Sequence, residues 1–568
     1  MLSNLAPLAR RIALAALLAT AASPATLAAA SSLSGSYLAG MQADFRDDYA
    51  DAALYFDQAL ALDPDNPGLL VNAVVSKVAV GDAAGARPLA DRLAAADPGN
   101  QVATLVRLGD TIADGDFGQA NEILAKSGKQ LNPLLAGLLA GWIDVGRDDF
   151  AGAKAKFDAM SGNDALVAYG QYNKALALAL AGDFVSAEKI LAGGEKGPLH
   201  VNRSAIVAHA EVLAQLGRDK DAIKVVDDAL AGGVPDIPLI DLRARLASGQ
   251  EVPFDQIGSA KDGAAEVFLT LADALNTEDS QRVALVHARL ASHIRPDLIE
   301  AQLVTAEILE DQKQFVLAAE ALADVPATSP WYVTTQLRRA STQRDAGDPD
   351  AGIATLTALA ASNGDQIEVE SSLGDALRMA ERYPDAVAAY TKAVALIETP
   401  MPGHWGLYYT RGIANERAGD WPAAESDFRE ALKLQPDQPL VLNYLGYSMV
   451  EKKENLDEAL GMIQKAAKAE PDDGYITDSL GWVYFRLGRY QDAVKPMLRA
   501  VELTPDDPII NDHLGDVLWM VGRKREAEFQ WRRALSFGPA DDLDMDRIRK
   551  KLDVGLDKVM ATDPSKDG

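Results

Sequence analysis

Residues 473–508 show the hydrophobic pattern that recurs through most of the chain. Apolar residues repeat at helical spacing on both sides of Gly488, which predicts two helices joined by a short turn. A glycine after the first pattern suits the left-handed turn that ends many helices. Pro505 cannot continue the second helix, because proline lacks the backbone N–H that a helix interior needs. The segment therefore predicts one helix–turn–helix unit of about 34 residues.

The same unit recurs in register near the end of the chain. Four columns of small residues and prolines mark it: Gly412, Gly446, Gly481 and Gly515; Ala424, Ala459, Ala493 and Ala527; Ala431, Ala466, Ala500 and Ala534; Pro436, Pro471, Pro505 and Pro539. The steps between the glycines are 34, 35 and 34 residues, which places one extra residue in the turn at 451–455. Because small side chains let two helices approach closely, the columns predict tightly packed helix pairs.

This spacing resembles the tetratricopeptide repeat, a helix–turn–helix unit that stacks into a solenoid. Weaker copies of the unit begin at Gly40, and six of them cover residues 31–232. Eight more cover residues 264–541, so we expect about fourteen units. The resemblance implies an all-α fold, a right-handed superhelical solenoid of antiparallel helix pairs.

The repeat pattern breaks at residues 233–263, where glycines and prolines interrupt the helical periodicity. Equivalent positions Ala210 and Ala272 are 62 residues apart, whereas two full units would need about 68. We therefore expect one shortened, irregular unit or hinge between the two sets of repeats. Residues 542–560 predict a capping helix that covers the last apolar face, and residues 561–568 predict a disordered tail.

Residues 1–30 have the features of a secretory signal peptide. Arg10 and Arg11 precede an apolar run at 12–22, and small residues at 28–30 suit cleavage before Ser31. The run is 11 residues long, too short to span a bilayer. An uncleaved amphipathic helix is the alternative interpretation. We expect an exported, soluble periplasmic protein that has no transmembrane segment after processing.

Composition excludes several classes of function. The formal net charge of −28 repels nucleic acid, so DNA and RNA are excluded as partners. The chain has no cysteine, which excludes disulfides, thiol catalysis and lipid attachment through cysteine. The 6 histidines are scattered without metal-ligand spacing, and Gly446–Val450 lacks the final glycine of a nucleophile elbow. We therefore predict a non-enzyme with no catalytic residue, metal, cofactor or small-molecule substrate.

The first helix of each unit is expected to line the concave face of the solenoid. Eleven positions on these helices are candidates for partner binding: Tyr409, Arg417, Asn443, Tyr447, Asp478, Trp482, Phe485, Arg486, Asp512, Asp516 and Trp519. Aromatic residues and arginine are common anchors of interfaces, so the set predicts an aromatic groove for protein partners. Packing of Trp482 and Trp519 between neighbouring helices is the alternative. Basic residues clustered at 523–525, 532–533 and 547–551 are either solvated helix surface or a site for an acidic partner.

Residues 404–540 resemble a narrower group of proteins. The stretches Leu442–Tyr447, Asp478–Trp482 and Asp512–Asp516 are similar to long envelope repeat proteins. Among these are adaptors that bind a carboxyl-terminal processing protease and bring it to cell-wall hydrolases. The resemblance implies a periplasmic scaffold that presents substrates to such a protease, although those adaptors are lipoproteins and this chain has no cysteine to lipidate. A structural spacer subunit of an envelope assembly or secretion complex is the alternative function.

Overall fold

The computed structural model describes residues 32–127, 130–160, 162, 164–193, 199, 201–233, 236–540 and 543–562. Across these residues the regular secondary structure is helical, and no strand is present. The all-α prediction is therefore confirmed. The signal peptide expected at 1–30 lies outside the described residues, as does most of the expected tail.

The chain divides into two compact units, Met1–Gly352 and Ile353–Gly568. The described helices that begin in the first unit are α1 (Leu33–Phe45), α2 (Tyr49–Leu60), α3 (Pro67–Ala79), α4 (Ala83–Ala96), α5 (Gln101–Ala113), α6 (Phe117–Ser127), α7 (Pro133–Gly146), α8 (Phe150–Asp158), α9 (Asp164–Leu180), α10 (Phe184–Leu191), α11 (Arg203–Gln215), α12 (Asp219–Leu230), α13 (Ile237–Ala247), α14 (Ala260–Leu275), α15 (Gln281–Ile294), α16 (Ile299–Asp311), α17 (Phe315–Ala321), α18 (Tyr332–Asp345) and α19 (Pro349–Asn363).

The second unit continues with the same kind of element. Its helices are α20 (Ile367–Met379), α21 (Tyr383–Ala395), α22 (Trp405–Arg417), α23 (Trp421–Leu434), α24 (Pro439–Lys452), α25 (Leu456–Ala469), α26 (Gly474–Arg486), α27 (Tyr490–Leu503), α28 (Pro508–Met520), α29 (Lys524–Phe537), α30 (Met545–Val554) and α31 (Leu556–Thr562), with a 3₁₀ turn at Pro402–His404.

The helices follow one another as fourteen pairs, α1–α2 to α11–α12 and α14–α15 to α28–α29. This order is compatible with the six and eight repeat units expected from the sequence, and that division stays a prediction. Helix α13 has no partner of this kind, and residues 248–259 after it are not helical. This is where one shortened, irregular unit is expected. Whether the segment acts as a hinge stays a prediction.

The glycine column brings the two helices of a pair into close contact. A Cβ atom placed on Gly515 would lie 2.4 Å from the Trp531 ring, and one on Gly481 would lie 2.6 Å from Met497. Trp531 and Met497 are fully buried on the second helices, each sixteen residues after its glycine. A side chain on the first helix would therefore push the pair apart, which explains why the column holds glycine.

The extra residue predicted at 451–455 is accommodated in the turn between α24 and α25. Lys453 and Asn455 there adopt φ values of 57° and 47°, a left-handed conformation that few non-glycine residues take. Ile463 consequently follows its glycine, Gly446, by seventeen residues instead of sixteen, and a Cβ on that glycine would lie 2.8 Å from it. The turn absorbs the insertion, so the packing of the pair is preserved.

Local signals start and end the helices that matter most below. Asp473 accepts a hydrogen bond from the Ile476 N–H at 2.9 Å, and Asp507 caps α28 in the same way. These carboxylates satisfy N–H groups that have no partner inside the helix. Gly488, just after α26, has a φ of 71°, so the turn predicted there is present.

In the first unit, later helices pack onto earlier ones. Helix α14 lies against α7, and α15 lies against α5 and α3, which are the first helices of their pairs. Arg282 donates to Asp44 at 2.8 Å and to Asp47 at 2.9 Å. The Tyr172 hydroxyl donates to the buried Glu266 carboxylate at 3.1 Å. The first helices of these N-terminal pairs are thus covered by the chain itself.

Two short helices replace the single capping helix expected at 542–560. Helices α30 and α31 are separated by Gly555, whose φ of 86° breaks the helix. Ile548, Leu556 and Val559 are buried beneath them. The segment therefore does cover the end of the last repeat, as a capping element should.

Candidate protein-binding groove

Three columns of residues share one face of the first helices in the second unit. Counted from the glycine column, they lie three residues before it, one after it and five after it. Residues four apart fall on the same side of a helix, so each helix presents three positions to one side. Helices α24, α26 and α28 contact one another in turn, which aligns these positions into a groove.

A cavity of about 450 Å³ lies in this groove. Its wall is formed by α22, α24, α26, α28 and the start of the C-terminal cap: Glu416, Arg417, Tyr444, Tyr447, Ser448, Glu451, Lys452, Trp482, Arg486, Ile509, Asp512, His513, Asp516, Leu543, Asp544 and Arg547. Four successive repeat units and one element outside the repeats therefore build a single site. Its lining mixes aromatic rings with both signs of charge.

Trp482 is the central aromatic residue of the cavity. Its ring stacks on His513 with centroids 3.9 Å apart and on Phe485 at 4.8 Å. Its Nε1–H donates to Glu451 at 2.7 Å. The side chain is only 8% exposed, so it presents an edge to the cavity while most of the ring supports neighbouring helices. The groove interpretation thus describes the exposed edge of Trp482, and the packing interpretation describes the rest of its ring.

His513 connects the aromatic stack to a buried carboxylate. Its Nδ1 lies 3.0 Å from Asp478 Oδ2, one repeat earlier. Burial by itself lowers the pKa of His513, but the charge of Asp478, its hydrogen bond to the ring and the charges of Asp512 and Asp516 together outweigh burial, and the pKa is raised. Protonated His513 is therefore the favoured form near its ordinary titration range, which places a positive charge behind Trp482.

Lys551 of α30 ties the C-terminal cap to the groove. Its Nζ donates to Asp512 at 2.8 and 2.9 Å and to Asp516 at 2.7 Å, and the residue is 1% exposed. Trp531 donates its Nε1–H to the other Asp516 oxygen at 2.8 Å. Burial lowers the pKa of Lys551, yet the two carboxylates outweigh burial and the pKa is raised. The cluster is a buried ion pair with its main hydrogen bonds satisfied.

The structure brings six of the eleven predicted residues to the cavity: Arg417, Tyr447, Trp482, Arg486, Asp512 and Asp516. The other five do not line it, for reasons that the contacts make clear. Asp478 is buried under His513, and Phe485 is buried under Trp482. Trp519 donates to Asp557 at 3.0 Å and is covered by the cap. Neither Phe485 nor Trp519 therefore lines the cavity.

Tyr409 and Asn443 also lie away from the cavity. Tyr409 packs among aromatic rings, with Trp405, Phe428 and Tyr444 each about 6 Å away between centroids. Asn443 is half-buried on α24. These two positions lie three residues before the glycine column. Asp512 occupies the same position relative to Gly515, and it does line the cavity.

Some wall residues were missed by sequence reasoning although a signal existed. Glu451 occupies the same repeat position as Arg417 and Arg486, five residues after the glycine. A comparison of this repeat position across all units would have identified Glu451 as a candidate. By contrast, Leu543, Asp544 and Arg547 belong to no repeat column, and their place in the wall follows from how the cap folds back.

Within the described ranges, no cluster of three or more histidine, aspartate or glutamate residues is arranged to hold a metal ion. The same ranges contain no helix with the length and apolar character needed to cross a membrane.

Comparison with known proteins identifies the repeats. Family models described as "Tetratricopeptide repeat" match residues 46–108, 337–400, 405–438 and 451–508. A TPR repeat-containing protein of Pseudomonas aeruginosa is 29% identical over 187 residues, 33% of this chain and 31% of that protein. The Lipoprotein NlpI homolog of Haemophilus influenzae is 32% identical over 94 residues, 16% of this chain and 29% of that protein. The chain thus spans about a third of the length of the curated relatives that it matches.

Among solved structures, the APC/C hetero-tetramer Cut9–Hcn1 aligns with 94% of this chain and 98% of its own at 16% identity, with a TM-score of 0.36. A tetratricopeptide repeat protein from Parabacteroides merdae aligns with 45% of this chain and 98% of its own at 17% identity, with a TM-score of 0.37. Repeats of this family form scaffolds for protein–protein interaction. The matched stretches, together with the glycine column that runs through them, show that the chain contains tetratricopeptide repeats.

Proposed function

We propose that this chain is a non-enzymatic, exported scaffold that binds a segment of a partner protein in the groove of its second unit. The observation that carries the proposal is the cavity of about 450 Å³, whose wall draws on four successive first helices. Pockets that bind ligands commonly fall between about 300 and 1,000 Å³. A space of this size takes a few side chains of a bound segment, and the rest of the segment follows the groove.

The lining suits a peptide better than an apolar small molecule. Tyr444, Tyr447 and Trp482 offer aromatic surface, and Arg417 and Arg486 offer hydrogen-bond donors. Aromatic residues and arginine are enriched among the residues that carry interface energy. Burial raises the pKa of Tyr444 to about 12, so its hydroxyl is neutral and can donate as well as accept.

The finer part of the proposal places this scaffold in the periplasm, where it presents substrates to an envelope processing protease. Two observations support it. Residues 1–30 have the composition of a signal peptide, and the Haemophilus influenzae relative is named a lipoprotein. The similarity of residues 404–540 to protease adaptors falls on the same repeats that build the cavity.

A spacer role is the second candidate, and the first unit favours it. Helices α14 and α15 cover α3, α5 and α7, so this part of the chain has filled its own groove. A covered groove gives rigidity instead of a binding surface. The first unit would then be the rigid spacer within an envelope assembly.

Photo-crosslinking in cells tests the binding groove. Tyr447 is replaced with a photoreactive phenylalanine analogue, which keeps an aromatic ring at the cavity wall. We expect a covalent adduct with one partner, and mass spectrometry of that adduct identifies the bound segment. The matched control places the same analogue at Gln491, an exposed position on α27 that does not line the cavity.

The adducts also distinguish the candidates. A protease or its substrate at position 447 supports the adaptor role, and a stable multi-subunit complex attached through the first unit supports the spacer. Equal adducts at 447 and 491 would refute specific binding in the groove. Turnover of a substrate by the purified protein alone would refute the non-enzymatic assignment.

A further inference from the structure

The first helix of the array, α1, carries an exposed apolar stripe. Tyr37, Met41 and Phe45 follow one another at intervals of four residues, so they lie on one side of the helix. Counted from Gly40, they occupy the same three positions that form the groove in the second unit. Tyr37 is 41% exposed and Phe45 is 82% exposed. The packing of α14 and α15 on α3, α5 and α7 thus leaves this side of α1 open.

Helix α1 carries almost no charge. Asp44 is the single charged residue among its 13 residues, and its carboxylate already accepts from Arg282 at 2.8 Å. The whole chain has a formal net charge of −28, so two copies repel each other over most of their surface. The cores of protein interfaces are depleted in charge and enriched in aromatic residues and methionine. The stripe on α1 has this composition, and it lets two copies of an acidic chain approach each other.

A pocket of about 360 Å³ lies beside the stripe, between α1 and the start of α3. Leu33, Tyr37 and Leu69 supply its apolar surface, and none of the described residues that line it is charged. Phe45 follows Tyr37 by two helical turns, which is about 12 Å along the helix axis. The same helix therefore carries an exposed aromatic ring at its end and an uncharged pocket at its start. Such a surface is complementary to a second copy of itself.

We propose that two copies of this chain form a dimer in which their α1 helices pack antiparallel about a two-fold axis near Met41. Tyr37 precedes Met41 by four residues and Phe45 follows it by four. This pairing therefore places Phe45 of each copy against Tyr37 and the pocket of the other. A two-fold contact of this kind buries the same patch on both copies. The inference concerns the first unit, so it goes beyond the proposed groove of the second unit and does not depend on it.

The available apolar area indicates a reversible dimer. Four side chains on α1 expose apolar surface: Leu33, Tyr37, Leu38 and Phe45. Together they offer an area on the order of 400 Å² per copy, since one aromatic side chain can bury about 150–250 Å². A standard interface buries about 800 Å² per partner, so flanking residues of α1 and α3 must supply the rest. An interface at the small end of this range predicts a dissociation constant on the order of micromolar.

Sedimentation equilibrium tests the dimer with the full-length chain and, beside it, the chain that begins at Ser31. We expect a monomer–dimer equilibrium in both. Phe45→Glu should raise the dissociation constant by at least about thirtyfold, because it replaces a central aromatic contact with a charge. Phe529→Glu is the matched control, since Phe529 is 59% exposed on α29 of the second unit. This control should dimerise as the wild type does.

A mixture of two variants tests the antiparallel pairing. Tyr37→Lys and Phe45→Glu should each dimerise poorly alone, whereas an equimolar mixture should form a heterodimer. In the mixture, the introduced carboxylate of one copy lies opposite the introduced ammonium group of the other, and the second Tyr37–Phe45 contact stays intact. A parallel pairing would place position 45 opposite position 45, so mixing would restore nothing. Thermal melts of both variants should match the wild type, because the two side chains are exposed.

Several results would overturn the proposal. A chain that stays monomeric at about 100 μM refutes a second copy as the occupant of α1, as does a dimer that survives Phe45→Glu. Dimerisation of the full-length chain alone also refutes it, because residues 1–30 would then make the contact. A monomer that instead binds phosphatidylcholine vesicles through Phe45 assigns the stripe to a lipid surface. A weakened dimer without recovery in the mixture refutes the antiparallel pairing. Crosslinking at position 447 tests the second unit's groove separately.

Discussion

Replacing Lys551 with methionine tests how the cap is held. Methionine is close to lysine in length and shape, so the change removes the charge while it leaves little empty space. The ammonium group makes three contacts of 2.7–2.9 Å with Asp512 and Asp516. Asp516 has a side chain that is 3% exposed, so it would remain as a buried carboxylate without its cation.

Removing one partner of a buried ion pair costs about 3–5 kcal/mol, because the remaining charge is left uncompensated. The loss should be local, since each element of a repeat array depends mainly on its neighbours. Detachment of α30 and α31 should therefore become easier without unfolding the other repeats. A cost of about 3–5 kcal/mol corresponds to an increase of roughly a hundredfold to several thousandfold in local opening.

Native-state hydrogen exchange measures this opening. We expect amides of α30 to exchange faster in Lys551→Met by that factor, while amides of α20 and α21 change little. The triple variant Lys551→Met, Asp512→Asn, Asp516→Asn removes both signs of charge and should recover much of the protection. An effect below about 1 kcal/mol in the single variant would contradict the argument, because it would show that Lys551 contributes no more than an exposed ion pair.

Three further predictions concern other parts of the fold. The raised pKa of His513 predicts that protonated His513 stabilises the fold below its unfolded pKa of about 6.5. This stabilisation is lost as pH rises through the folded pKa. Denaturant titrations of wild type and His513→Gln should therefore differ most at acidic pH and converge at alkaline pH. Gly515→Ala should lower the free energy of unfolding by about 1–3 kcal/mol, because the added Cβ would meet Trp531. Gly461→Ala adds its Cβ in open space, so it should raise the free energy of unfolding by up to about 1 kcal/mol. Thermal melts of both variants measure the difference. Limited proteolysis should cut first at residues 248–259. The fragments should still elute together on gel filtration, because α14 and α15 pack on earlier helices. Separation of two folded pieces would instead support a hinge at this segment.

The repeat architecture could be predicted because its cause is local. A glycine opposite a large residue sixteen positions later makes a close helix pair, and both lie in one short stretch of sequence. The extra residue at 451–455 was visible as a single longer step in the glycine column. Such signals repeat at a fixed period, so every additional unit confirms the others.

The residues that line the cavity were harder to predict, because they come from elements that no repeat column links to one another. The sequence identifies Trp482 as a groove residue, but nothing in its own unit shows that His513, 31 residues later, stacks on its ring. Lys551 reads as one more charge in a basic cluster, although the structure buries it against Asp516. Packing between residues far apart in the chain produces no periodic pattern in the sequence.

The packing of α15 against the start of the chain has a consequence for folding kinetics. Arg282 and Asp44 are separated by 238 residues, so their contact closes a very long loop. Most repeat arrays make only near-neighbour contacts and can grow one unit at a time. Here the N-terminal repeats cannot complete their packing until α15 has been synthesised. The first unit should therefore fold late and slowly, as proteins of high contact order do, whereas the second can assemble repeat by repeat.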